Sequence, residues 1–91
     1  MAYYLSGTIR VPGCDLEAVH AALPEHIRLT LAEPGCVAFE VAEQSSGFFL
    51  VHEVFQDEPA FKAHQERAVG SDWARASSRA VRDYKTWTHE S

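Results

Sequence analysis

Cysteine is nearly absent from this chain of 91 residues: Cys14 and Cys36 are its only thiols. Two cysteines make no disulfide framework, and their separation matches no zinc-ligand spacing. Basic residues are also scarce. Eight lysines and arginines face thirteen acids, for a net charge of −5, so no basic surplus exists to neutralise nucleic-acid phosphates. Apolar runs are short, and Phe48-Phe49-Leu50-Val51 falls far below the roughly 20 residues of a membrane span. The first residues, Met1 to Thr8, show neither the basic nor the apolar region of a secretory signal. The expected location is therefore cytoplasmic, with no membrane partner. None of the five histidines stands three or four residues from another, so no helical imidazole pair is available and no metal site is expected.

What remains is ordinary globular composition, 46% hydrophobic and 23% charged, which argues against disorder. Area scaling for a chain of this size leaves roughly 5,300 Å² exposed and permits one two-layer core. A single domain over residues 1–91 is expected.

Periodicity orders the elements. Tyr3, Leu5, Ile9 and Val11 alternate with Tyr4, Ser6, Thr8 and Arg10 until Pro12-Gly13, which is a strand signature. Asp15 is placed to cap a helix whose apolar stripe is Leu16, Val19, Leu23, Ile27 and Leu31. Pro24 inside that stripe predicts a kink or a split near Leu23. Strands follow over 36–43 and 48–56, joined by the turn Gln44-Ser45-Ser46-Gly47. Asp57-Glu58-Pro59 opens a second helix, ended near Val69 by Gly70. Ser71-Asp72 caps a short third helix through Ala80, and Val81 to Thr88 reads as a last strand.

The order β-α-β-β-α-(α)-β is that of an α+β, ferredoxin-like βαββαβ fold, an antiparallel sheet with helices on one face. In the strand 48–55 the even positions are Phe48, Leu50, His52 and Val54, and the odd ones Phe49, Val51, Glu53 and Phe55. Both faces carry three large apolar residues, whereas a sheet wet on one side alternates cleanly. The second face is therefore expected to meet a second copy across a two-fold axis, making a homodimer. On this topology the two cysteines lie roughly 20 Å apart, at about 3.4 Å of rise per strand residue, too far for a disulfide.

Phe61, His64 and Ala68 share one face of the second helix, so His64 points toward the sheet, and Trp73 after the break at Gly70 can close the same space. An imidazole and an indole over a sheet face make a small-molecule pocket; a packed core histidine beside a packed tryptophan is the alternative. His52 belongs either to that pocket or to the dimer face, and parity does not decide. Glu53 takes the opposite face, where burial would raise its pKa unless an Arg or Lys pairs with it; a structural ion pair is expected. His26, one residue before Ile27, is expected at the surface or rim, and His20 and His89 at the surface. Tyr3, Tyr4 and Tyr84 are strand tyrosines able to offer a phenol to a pocket.

Three stretches carry a resemblance. Glu33-Pro34-Gly35-Cys36-Val37-Ala38-Phe39-Glu40-Val41, then Phe49-Leu50-Val51-His52-Glu53-Val54-Phe55-Gln56-Asp57, then Ala60-Phe61-Lys62-Ala63-His64 together resemble the antibiotic biosynthesis monooxygenase (ABM) domain, over about Tyr3 to Trp87. The resemblance implies a dimeric ferredoxin-like α/β barrel. It also implies one of several activities: cofactor-independent oxidation of a quinol or anthrone by O2, an isomerase or haem-handling activity, or ligand binding without catalysis. His64 matches the histidine of the family's Ala-Phe-x-x-His run and would be the base, and Trp73 matches the tryptophan beyond it. Phe39, Phe49, Phe61, Tyr84 and His52, the last standing where a strand tyrosine is usual, would line the substrate. Where many members read Ser-Pro-His-Phe, this chain has Arg67-Ala68-Val69-Gly70. The oxygenase chemistry so implied needs neither a metal nor a flavin, only the small aromatic substrate and O2.

Overall fold

The computed structural model describes residues 1–90. Strand β1 (Ala2–Arg10) leads through a 3₁₀ turn (Gly13–Asp15) into helix α1 (Leu16–Leu31), followed by β2 (Cys36–Ser45), β3 (Phe48–Phe55), α2 (Glu58–Val69), α3 (Asp72–Ala76) and β4 (Val81–His89). The sheet order is β2-β3-β1-β4, and every neighbouring pair is antiparallel. Each helical crossover therefore skips one strand, so the fold is the expected α+β, ferredoxin-like βαββαβ arrangement. The exposed area is 5,513 Å², close to the scaling value for a compact chain of this size.

Local chemistry explains the element ends. The β2–β3 hairpin closes on Ser46-Gly47 alone, because Gly47 adopts φ +79°, a region that glycine enters without a Cβ penalty. Gly47 is held from both sides: its N–H donates to Glu43 Oε2 at 3.0 Å, and its carbonyl accepts from Val11 N at 2.7 Å. Asp57 caps α2, its Oδ1 accepting from Ala60 N at 2.9 Å, and Ser71 caps α3 by accepting from Ala74 N at 3.2 Å.

Three local expectations are corrected. α1 runs unbroken through Pro24. Pro24 is exposed, on the side of a helix where water can replace the bond that a proline removes. Asp15 precedes α1 but makes no capping bond; its carboxylate instead accepts from Arg79 Nε at 3.0 Å. α3 stops at Ala76, short of Ala80, where the Ser77 hydroxyl bonds back to the Trp73 carbonyl at 2.7 Å, a contact that competes with helix continuation.

The helix-side core is built on Leu5, Ile9, Val19, Phe49, Val51, Phe55, Phe61 and Trp73, with Val11 at the end of β1. α1 contributes less than its apolar stripe suggests. Its buried residues are Val19, His26 and Thr30, while Leu31 is 55% exposed. At about 100° per residue, His26 and Thr30 lie about 20° on either side of Val19, and Leu31 about 120° away. The buried stripe is thus rotated from the apolar one, and His26 is in the core, not at the rim.

The other sheet face is uncovered. Tyr4 and Trp87 stack across β1 and β4 with centroids 5.3 Å apart, and Arg10 lies over the Phe48 ring at 4.8 Å. Leu50 and Trp87 are 42% and 44% exposed. Cys14 and Cys36 are free thiols. No helix among the described residues is long and apolar enough to cross a membrane.

Candidate active site

A cavity of about 240 Å³ opens between the sheet and the three helices. Five elements send polar or aromatic side chains into it. β3 sends in Glu53, α1 His26, α2 Phe61 and His64, α3 Trp73, and β4 Arg82 and Tyr84. Ala68 and Val69 of α2 form part of the lining, so two residues of the segment 67–70 give the pocket small and apolar groups.

Gly7 makes room for one wall. A Cβ on Gly7 would stand 2.1 Å from the Asp83 carbonyl oxygen and 2.7 Å from a Tyr84 ring carbon. Only a residue without a side chain lets β4 and the Tyr84 ring come this close. Burial pushes the Tyr84 phenol upward in pKa, with Arg82 pulling partly the other way.

The imidazole of His64 is the centre of a bonded chain. Its Nδ1 lies 3.0 Å from Glu33 Oε1, and the same carboxylate accepts from Arg67 Nε at 2.7 Å. Arg67 also donates through Nη2 to Thr30 Oγ1 at 2.9 Å, and Thr30 donates to the His26 carbonyl at 2.7 Å. An acid paired with a guanidinium is a carboxylate, which can only accept. His64 Nδ1 is therefore the donor, and Nε2 of the neutral ring carries a free lone pair. Burial holds His64 below the ordinary histidine pKa, against the upward pull of Glu33, which favours that neutral ring.

Nε2 faces Glu53, whose Oε1 is 4.0 Å away. Glu53 is 6% exposed, and its Oε1 has no hydrogen-bond partner among the described residues. No Arg or Lys pairs with it, so the expected structural ion pair is absent. Burial, helped by the nearby Glu33 charge, pushes its pKa up to about 7.

His26 stacks on Trp73 with centroids 5.0 Å apart. Burial, with the neighbouring His64, Arg67 and Arg82 charges, holds its pKa down at about 3, so the ring is neutral. Its Nδ1 is buried and unpartnered among the described residues.

Four residues singled out from the sequence meet at the cavity: His64, Trp73, Phe61 and Tyr84. Phe39 stands behind it, packing against His26 at 5.4 Å and His64 at 5.8 Å between centroids. Phe49 shares that sheet face but lies four residues from Glu53, at the end of β3 where its neighbour is the His20 ring at 6.2 Å. His52 is on the uncovered face, between Glu40 and Ser6 in register, beside a hollow of about 440 Å³ that Glu40 and Leu50 also line. His20 is exposed and pairs with Glu43 at 2.8 Å.

The residues not assigned to the site from sequence are Glu33, His26, Arg67, Arg82 and Glu53. Val19 and His26 stand seven residues apart in α1, a helical spacing that points to one face, whereas Glu33 lies in the turn beyond the helix; the odd parity of Glu53 with Phe49, Val51 and Phe55 places it on the covered face. Nothing in local sequence marks Arg67 or Arg82. Among the described residues, no group of three or more His, Cys, Asp or Glu side chains is placed to hold a metal ion.

The fold and the open histidine–carboxylate cavity define a small ferredoxin-like domain with a pocket between its sheet and helices. The antibiotic biosynthesis monooxygenase family profile matches residues 2–76, and the chain belongs to that family. β4, which supplies Arg82 and Tyr84, lies beyond the matched segment.

Among solved structures, the chain is similar to a proposed antibiotic biosynthesis monooxygenase from Nitrosomonas europaea, with TM-score 0.82, 18% identity, and 97% of this chain and 89% of that one covered. A second protein so described, from Deinococcus radiodurans, gives TM-score 0.74 at 17% identity, covering 100% and 94%. A conserved protein of unknown function from Bacteroides thetaiotaomicron, suggested to be an oxidoreductase, gives 0.69 at 22% identity, covering 94% and 95%. These likenesses establish the fold. No functionally curated protein matches the chain.

Proposed function

We propose that the protein is a monooxygenase that oxidises a small reduced aromatic compound, a quinol or an anthrone, with O2 and without a bound cofactor. The observation that carries this reading is the Glu33–His64 contact of 3.0 Å, which leaves Nε2 as a base beside a mainly apolar cavity walled by Trp73. An electron-rich aromatic anion can itself reduce dioxygen, so the protein needs to supply a base, an orientation and a place poor in water.

In this reading His64 Nε2 takes a proton from the substrate, and Glu33 stabilises the imidazolium that forms. The anion passes an electron to O2, and the resulting radical and superoxide join in a C–O bond. Loss of water from the hydroperoxide leaves a new carbonyl, with one oxygen atom in the product and one in water. Trp73 and Phe61 pack on the planar substrate, and Arg82 and Tyr84 meet its oxygen substituents. The uncovered sheet face, with Tyr4, Leu50, Val54 and Trp87, supports a homodimer packed sheet to sheet.

Oxygen uptake by metal-free protein on a panel of reduced quinols and anthrones tests the reading. Uptake should scale with protein concentration and fall on the order of 10²-fold or more in His64→Ala. Silence across the panel, or turnover untouched by both His64→Ala and Trp73→Phe, would overturn it.

A further inference from the structure

The cavity contains one acidic group that the base assignment leaves unused. Glu53 is buried on β3 with Oε1 unpartnered among the described residues, and that atom faces His64 Nε2 across 4.0 Å. A buried carboxylate with no donor is costly, and a buried carboxylic acid without an acceptor wastes its proton. Each form is satisfied by His64. The ionised acid accepts from a protonated Nε2, and the neutral acid donates to a free one. A small rotation of the carboxyl group, or one bridging water, closes the gap.

We propose that Glu53 is the second proton carrier of the site, exchanging a proton with His64 Nε2 and delivering it to the peroxide oxygen. The delivery step rests on the oxygenase reading; the shared proton does not. For an anthrone-type methylene, the first C–H proton goes to Nε2, one electron goes to O2, and the C–O bond forms. The imidazolium hands its proton to the Glu53 carboxylate, which regenerates neutral His64. Glu53 then protonates the distal peroxide oxygen. When Nε2 removes the second C–H proton, the O–O bond breaks, the carbon keeps one oxygen as a carbonyl, and hydroxide leaves. That hydroxide takes the second proton as water. Both methylene protons and both oxygen atoms are accounted for, and His64 and Glu53 return to their starting states.

The surroundings set when this exchange operates. Facing Glu53 are His64 from α2, Glu33 from the turn after α1, His26 from α1, Arg82 and Tyr84 from β4, and Cys36 from β2, with Arg67 of α2 beside His64 and Glu33. Arg67 is held by Glu33 through Nε and by Thr30 through Nη2, with its buried Nη1 unpartnered among the described residues, and Arg82 is held by Ser77. Neither neutralises Glu53, and Glu33 disfavours its charge. The proton therefore stays near neutrality instead of being lost to an ion pair.

Site-resolved NMR titration of the whole chain, with carboxyl-¹³C glutamate and ¹⁵N-imidazole histidine, tests the pair directly. The Glu53 carboxyl should titrate near pH 7, and the His64 Nε2 shift should move through the same step. In Glu53→Gln the His64 step should disappear. Oxygen uptake on an anthrone should also fall on the order of 10²-fold in Glu53→Gln, with the limb of the pH profile near 7 removed.

A Glu53 signal that titrates like an exposed acid, or a His64 trace identical with and without Glu53, would overturn the proposal. The wild-type titration needs no substitution, so it decides even if the glutamine variant does not fold. A coupled step in a protein that consumes no oxygen would remove the oxygenase reading and keep the proton pair. Full oxygen uptake in Glu53→Gln would keep the oxygenase reading and overturn the delivery step.

Discussion

His26 of α1 and Trp73 of α3 lie ring on ring, with centroids 5.0 Å apart and planes 9° from parallel. The stack welds the longest helix to the shortest and forms a wall of the cavity. It also carries a titration signature. The pKa of His26 falls from an ordinary 6.5 to about 3 on folding, so between those values the unfolded chain binds the extra proton. Its contribution to stability is present above pH 6.5 and is lost as pH falls toward 3.

Glu53 has the opposite sign. Its pKa rises from 4.5 to about 7, so the folded state binds the extra proton, and its contribution is present below pH 4.5 and lost as pH rises through 7. Between pH 4.5 and 6.5 the two slopes oppose each other. Glu53→Gln should therefore gain stability relative to wild type by up to about 1.4 kcal/mol per pH unit from 4.5 to 7. Urea unfolding of both proteins at several pH values reads this difference, and parallel curves would contradict the assignment.

Glu33→Gln should cripple the base without dismantling the fold. The amide no longer compels Nδ1 to donate, and it leaves Arg67 without its ion pair. A loss in kcat of roughly 10²- to 10⁴-fold is expected, by analogy with carboxylates that hold a catalytic imidazole in one tautomer, while circular dichroism stays that of wild type. Steady-state oxygen uptake measures the loss. An unchanged kcat would detach Glu33 from the chemistry.

The uncovered sheet face should hold two copies together. Leu50 and Trp87 are each more than two-fifths exposed, and a pair of such faces buries its aromatic and aliphatic groups at little entropic cost. Sedimentation velocity should find a dimer for wild type and a monomer for the double variant Leu50→Glu/Trp87→Glu. Identical sedimentation of both would place any contact elsewhere.

Gly7→Ala should be destabilising. The new methyl would sit 2.1 Å from the Asp83 carbonyl oxygen and 2.9 Å from the Tyr84 Cα, and backbone cannot yield as a flexible side chain can. A cost of about 1–3 kcal/mol is expected, read as a lower urea midpoint, together with weaker substrate binding because Tyr84 is displaced.

Repeating patterns carried most of the fold. The alternation in β1, the apolar run of β3, the Asp57 and Ser71 caps, and the glycine of the hairpin act through neighbours a few residues away, and each is visible in the chain. His64 was legible for the same reason, since i,i+3 and i,i+4 spacing put it beside Phe61. Pro24 did not split α1, because a proline on the exposed side of a helix leaves its unpaired carbonyl accessible to water. His26 misled because an apolar stripe and a buried stripe need not coincide when a polar ring is stacked.

The sequence by itself determined the element order, the two apolar faces of β3 and the helix face that bears His64, because backbone periodicity is local. Tertiary structure alone decided that Glu33, Arg67 and Glu53 converge on one imidazole, and that His52 and Phe49 stand away from it. Those placements depend on how α1 and α2 cross the sheet and on the register of β3 against β1. Both are settled by packing between segments remote in the chain, where no local repeat records the direction of a side chain.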